Sequence, residues 1–221
     1  LTPRLAVLAG SSIAEDLMLP DEIALAQAVC TRLCHDLGGP VGALAGALDL
    51  LEGPGDDAMD VARDAAQVLD RRIRFYRAAV GAGSGDCRAR EIGELAEGLT
   101  LGRKISIDLE NLDSISVFPA HLTQALLLGA WAAIDALPRG GVVRLSGGPQ
   151  DGSSIWPDGT GAAWPSGLAA GLAGDPVPLT ARGVAVPLLL TVAASSGIDL
   201  ELLMGSGKGA SPLFFTLETR N

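Results

Sequence analysis

Aromatic residues are scarce: four Phe, three Trp and one Tyr in 221 residues, 4% of the chain. Any core must therefore be packed mainly with Leu, Ala and Val, which favours a helix-rich protein. Positive charge is short as well, since 16 Lys and Arg face 26 Asp and Glu, a formal charge of −10. Binding a phosphate backbone needs clustered cations, so nucleic acid is excluded as a partner. No apolar run reaches the ~18 residues of a membrane span, so no membrane partner is expected. Residues 1–10 are partly apolar but do not combine a charged start, a long apolar centre and a cleavage site. Residues 1–20 are accordingly read as an N-terminal extension without export, and a cytoplasmic protein is expected. Three cysteines without framework spacing suit reduced thiols. Cys30 and Cys34 stand beside His35, but two thiolates and one imidazole fall short of four tetrahedral ligands. Cys87 and His121 are distant in the chain, so no metal site is expected.

Histidine is the other rarity, with only His35 and His121. An apolar seam, Leu25, Val29, Leu33, Leu37, Val41, Leu44, Leu48 and Leu51, repeats at three- and four-residue steps and predicts one helix face. His35 is two residues from both Leu33 and Leu37, which puts it roughly 160–200° off that seam and facing out. Neutral imidazole keeps one ring nitrogen lone pair free near pH 7. With Asp36 to orient the ring or handle its proton, His35 is the candidate nucleophile toward phosphorus. His121 follows Pro119 in the first turn of a predicted helix and is read as a helix-end or surface residue.

The run His35-Asp36-Leu37-Gly38-Gly39-Pro40 resembles the phosphoacceptor helix of two-component histidine kinases, an H-[DE]-x-x-x-P pattern. The longer stretch RLCHDLGGPVGALAGALDLL, residues 32–51, looks most like the bacterial ChpT histidine phosphotransferases. That resemblance implies a kinase-like helical hairpin followed by a degenerate kinase-type ATPase domain, and it covers nearly the whole chain.

The organisation agrees with that outline. Residues 21–52 read as one helix of roughly 48 Å, weakened and bent just after His35 by Gly38, Gly39 and Pro40. After the turn Gly53-Pro54-Gly55, residues 56–80 read as a second, antiparallel helix with Val61, Ala65, Val68, Leu69, Ile73, Tyr76 and Val80 as its apolar side. A two-helix hairpin cannot cover both apolar faces alone, whereas two copies can, as a four-helix bundle. A homodimer is expected, with docking of the hairpin on its own second domain as the alternative.

Residues 81–85 have linker composition. Beyond them the pattern predicts helix at 91–101, strands at 105–109 and 115–118, helix at 119–137, strand at 142–145, helix over most of 178–195, and a closing hairpin of 198–203 and 213–217. The expected fold class is α+β: an N-terminal antiparallel hairpin forming a dimeric four-helix bundle, then a C-terminal α/β sandwich similar to a degenerate histidine-kinase ATPase domain. The expected domains are the extension at 1–20, the dimerisation and phosphoacceptor hairpin at 21–82, a linker at 83–90, and the ATPase-like α/β domain at 91–221.

Residues 121–145 resemble the asparagine-box helix and following strand of kinase-type ATPases, where an inward Asn carries Mg²⁺ and the nucleotide phosphates. Ala132 stands at that position, and neither asparagine, Asn111 or Asn221, lies on this helix. Alanine offers no oxygen to a metal that demands six. Asp158-Gly159-Thr160-Gly161 is one residue short of the usual glycine box and reads as a surface turn. Gly205-Ser206-Gly207-Lys208-Gly209 reads as a hairpin turn rather than a phosphate loop.

The resemblance thus implies a phosphotransferase that is not ATP-dependent. His35 would shuttle a phosphoryl group between receiver-domain aspartates of a hybrid histidine kinase and of response regulators, with Asp36 as its partner. No resident cofactor is expected, and Mg²⁺ would sit on the receiver alone. Two alternatives are an ATP-dependent sensor kinase core and a non-catalytic receiver-binding module. In an antiparallel hairpin turning near Pro54, Ile73 comes level with His35. Arg71, Arg72 and Arg74, joined by Arg32, are therefore expected to form a basic docking collar for an acidic receiver pocket.

Overall fold

A computed structural model of the chain describes residues 22–50, 57–81, 83, 85–203 and 209–217. The expectations for residues 1–20, for the turn at 53–55 and for Lys208 with its glycines at 205 and 207 lie outside the described residues. Helix α1 spans Glu22–Leu50 and α2 spans Asp57–Ala79. Pro40 lies inside α1, which continues through it.

The buried stripe of α1 is Leu25, Val29, Arg32, Asp36, Pro40 and Ala47. From Arg32 onward this stripe precedes the predicted seam by one residue, about 100° of rotation. Leu33, Leu37 and Leu44 are consequently half-buried, while Val41 and Leu48 are 49% and 51% exposed. In α2 the predicted side is met in part, since Ala65 and Tyr76 are buried. Phe75, outside the predicted apolar side, is fully buried, and Val61 and Ile73 are exposed. The cause is that each helix turns one face toward the rest of its own chain and leaves much of the apolar seam uncovered.

After the hairpin, strand β1 (Cys87–Arg88) pairs antiparallel with β3 (Val117–Phe118). Helix α3 spans Ala89–Ala96 and ends in a 3-10 turn, Glu97–Leu99. Part of the stretch predicted as linker is therefore regular structure. Its helix starts early because the Arg88 N–H donates to the Glu91 carboxylate at 2.7 Å, satisfying one donor of the first turn. Strand β2 (Ile105–Leu112), helix α4 (Ala120–Asp135) and strand β4 (Gly141–Gly148) form a β-α-β crossover, so β2 and β4 are parallel. Strand β5 (Gly152–Asp158), helix α5 (Ser166–Leu172), helix α6 (Ala185–Ser196), and strands β6 (Ile198–Leu202) and β7 (Leu213–Leu217) complete the body. The five-stranded sheet runs β2-β4-β5-β7-β6, antiparallel except for its first pair.

Strands β1 and β5 and helix α5 were not expected from the sequence, and α6 begins later than expected. Gly152–Asp158 has no sustained alternation and carries Pro157, and α5 is seven residues with two glycines. Residues 178–184 precede α6, whose early Pro187 occupies the first turn, where no N–H is needed. The predicted strand at 115–118 shortens because Asp113 accepts from the backbone N–H groups of Ile115 and Ser116, closing a turn there.

Helix α4 lies in the core, with twelve of its sixteen residues buried, Ala132 among them. It approaches the sheet through Gly129, where a Cβ would come within 2.7 Å of the Phe215 ring and 3.0 Å of Ile155. One continuous core joins Leu25, Val29, Phe75 and Tyr76 of the hairpin to Trp131 and the sheet residues. Trp131 receives both hairpin aromatics edge-on, with centroids 5.9 Å from Phe75 and 5.3 Å from Tyr76. Such pairs add about 0.5–1.5 kcal/mol each beyond area burial. The hairpin is thereby docked on the α/β body of its own chain. Among the described residues, no helix is long and apolar enough to cross a membrane.

Candidate active site

His35 projects from the middle of α1 with its side chain 83% exposed, while the adjacent Asp36 carboxylate is 7% exposed. The two residues, one helix step apart, therefore face solvent and protein respectively. His35 Nδ1 lies 3.0 Å from Asp36 Oδ1. An ionised carboxylate only accepts, so Nδ1 carries the hydrogen, and in the neutral ring the lone pair then lies on Nε2, on the other side of the ring.

Asp36 is ionised for a structural reason. Burial alone pushes its carboxyl pKa up, but hydrogen bonds from Tyr76, His35 and Arg32, and the Arg32 charge, outweigh that and hold it below the ordinary value. Oδ2 accepts from Arg32 Nε at 2.7 Å and from the Tyr76 hydroxyl at 2.6 Å. Tyr76 is the sole tyrosine of the chain. Burial, and then the carboxylate beside it, raise its phenol well above the usual range, so it remains a donor.

Arg32 is the joint between the two halves. Burial opposes its charge, yet hydrogen bonds and attraction from Asp135 and Asp36 raise its pKa above the ordinary value and keep it protonated. Nη1 and Nη2 meet the two oxygens of Asp135 at 2.9 and 3.0 Å, Nη1 donates to the Arg182 carbonyl at 2.8 Å, and the guanidinium lies over Trp131 at 5.1 Å. Desolvating such a group consumes most of its attraction, so the network fixes geometry more than it adds net stability.

Pro40 explains the next contact. Lacking an N–H, it cannot donate to the Asp36 carbonyl four residues earlier. The Arg72 guanidinium, from α2, donates to that carbonyl instead. The half-buried Arg72 thus satisfies an acceptor that the helix leaves open.

The predicted collar is only partly assembled. Arg72 reaches the Asp36 carbonyl, in the backbone beside His35. Arg32 is a correction: it is buried and fully occupied, because the buried stripe of α1 passes through it. Arg71 turns toward Glu97, 3.9 Å away, and Arg74 pairs with Asp70 at 2.9 Å. Both line a separate depression with Arg77, Glu91 and Glu94. His121 is an exposed residue in the first turn of α4. Cys30 and Cys34 are exposed free thiols, and no cluster among the described residues could hold a metal ion.

A basic feature escaped the sequence reading. An open cleft of about 600 Å³ between hairpin and body is lined by His35 on one side and Arg103, Lys104 and Arg182 on the other. These three cations are exposed and enter no ion pair among the described residues. Asp36 and Asp135 also line the cleft, but both are bonded to Arg32. The local charge is therefore positive in an acidic chain. Only the tertiary fold brings residues 103, 104 and 182 beside residue 35.

Comparison with known proteins places the chain among the phosphotransferases. The family described as "Histidine phosphotransferase C-terminal domain" matches residues 89–206, more than half of the sequence, and the chain belongs to that family. It is 31% identical over 128 residues to the protein phosphotransferase ChpT of Brucella abortus (strain 2308), across 56% of this chain and 61% of that protein. The match spans less than two thirds of the relative's length. A bacterial phosphotransferase structure solved at 1.7 Å superposes with a TM-score of 0.71 at 24% identity, over 90% of this chain and 98% of that one, and shows the same fold. The Acinetobacter baumannii histidine kinase AdeS gives a TM-score of 0.40 at 18% identity, over 82% and 95% of the two chains, too weak a likeness to bear on this one.

Proposed function

We propose that this chain is a histidine phosphotransferase of a multistep phosphorelay, carrying a phosphoryl group between receiver-domain aspartates on His35. The pair His35–Asp36 carries the reading: an exposed imidazole whose Nδ1 is held by a buried, ionised carboxylate. Nε2 attacks the phosphorus of an aspartyl phosphate. The bond from phosphorus to the receiver's carboxylate oxygen breaks, and its electron pair stays with that carboxylate. The ring becomes a phosphorylated imidazolium whose positive charge Asp36 offsets through Nδ1–H. In the return step a second receiver's carboxylate attacks phosphorus, and the P–N electron pair goes back to Nε2. Acyl phosphate and phosphoramidate both have high transfer potential, so the exchange needs no ATP. Ala132 at the asparagine-box position supports that ATP independence. The receiver supplies its own Mg²⁺ for in-line transfer.

Receivers of a hybrid histidine kinase and of response regulators are the proposed partners, docking across the cleft toward Arg103, Lys104 and Arg182. Their phosphorylation pockets are acidic, the complement of these cations. A second copy of the chain is the proposed partner for the uncovered hairpin face bearing Val41, Leu48, Val61 and Ile73, giving a dimeric four-helix bundle. A relay of this kind belongs in the cytoplasm, and that is the proposed location.

The test is a pulse with a radiolabelled phospho-receiver, followed by separation of the proteins. The wild type should take acid-labile, alkali-stable label, and His35→Gln should take none while keeping its circular dichroism. Label retained on the variant would refute His35 as acceptor.

A further inference from the structure

The two oxygens of Asp36 are used unequally. Oδ2 is held by Arg32 and Tyr76 at 2.7 and 2.6 Å, and Oδ1 is left for His35 at 3.0 Å. Arg32 is itself gripped by both oxygens of Asp135, at the end of α4 in the α/β body. A chain of contacts, Asp135 to Arg32 to Asp36 to His35, therefore runs from the body to the exposed ring. Tyr76 closes it from the second hairpin helix. All of its members except His35 are largely buried.

We infer that Tyr76 and Asp135 are positioning residues that fix the tautomer of His35. Neither reaches the outward ring nitrogen; they act through the carboxylate. With only His35 as a partner, the Asp36 carboxylate would be free to swing about its side-chain torsions, and the ring would sample both neutral tautomers. Two donors on Oδ2 lock the carboxylate plane and aim Oδ1 at Nδ1, so the proton stays there and the lone pair stays on Nε2. A carboxylate that holds a catalytic imidazole in one tautomer performs the same service in serine proteases. The consequence is a division of labour: the α/β body presets the nucleophile on the hairpin without touching phosphorus. The inference rests on His35 being the phosphoacceptor only for its kinetic consequence.

The test uses the full-length chain with ¹⁵N-labelled imidazoles, and it is simple because the chain has just two histidines. In the wild type the neutral His35 ring should be the Nδ1–H form, with exposed His121 as the internal reference. Tyr76→Phe and, independently, Asp135→Asn should move His35 toward a mixture of tautomers and leave His121 unchanged. Each should slow acceptance from a labelled receiver, roughly tenfold, the lower end of what is lost when the outer partner of a metal-ligating histidine is removed. Asp135→Glu, which keeps a carboxylate for Arg32, should recover most of the wild-type tautomer. Folded variants with an unchanged His35 tautomer would overturn the inference, even if their melting temperature or transfer rate fell. Because the tautomer is read without any receiver, a wild type that never takes label while its tautomers respond as described would sink the phosphorelay reading and support the positioning role.

Discussion

Pro40 and Arg72 show how closely the residues around His35 depend on one another. The proline removes a helix bond from the Asp36 carbonyl, and the arginine of the neighbouring helix replaces it. Arg72→Ala should leave that carbonyl unpaired, at a cost of about 1–3 kcal/mol. In a Pro40→Ala background the helix can make its own bond, so the same truncation should cost less, with a coupling of about 1 kcal/mol in a urea double-mutant cycle. Equal costs in both backgrounds would separate the two residues. At this scale the sequence was partly legible. His35, Asp36 and the outward direction of the ring follow from helical spacing. The roles of Arg32, Tyr76 and Asp135 do not, since two of the three partners lie 40 and 103 residues away along the chain from the groups they bind.

The uncovered seam is a property of the hairpin helices as elements. Ala47, 3% exposed, faces the hairpin interior, and its neighbour Leu48, 51% exposed, faces away. Leu48→Asp should therefore leave the fold of each chain intact and release monomers from the proposed dimer, because a charge buried between copies is costly. Ala47→Asp should unfold the hairpin. Light scattering with circular dichroism separates the cases, and a wild type that is monomeric at high concentration would contradict the bundle. Most elements were visible in the sequence, because long apolar periodicities and Gly or Pro breaks mark them. The exceptions were short or glycine-bearing pieces, β1, α5 and β5, held by their neighbours rather than by local pattern. From Arg32 onward the buried face of α1 differs by one residue from the apolar seam for a related reason. Arg32 and Asp36 look like surface residues until Asp135 and Tyr76 are beside them.

For the molecule as a whole, charge is the relevant quantity. A net −10 should repel acidic receivers in general, whereas Arg103, Lys104 and Arg182 present a local positive field beside His35. Raising ionic strength from low to about 1 M shrinks the screening length toward ~3 Å and should slow receiver association markedly. Replacing these three side chains by Ala should slow the low-salt rate and flatten its salt dependence. Salt-independent transfer in both proteins would remove the docking role. The phosphoacceptor atom is read most directly by ³¹P and ¹⁵N resonance spectroscopy of the chain after phosphorylation by a receiver. One phosphoramidate is expected, at Nε2 of His35, with Nδ1 still protonated against Asp36. Phosphate on His121, on a carboxylate or on Nδ1 of His35 would contradict it.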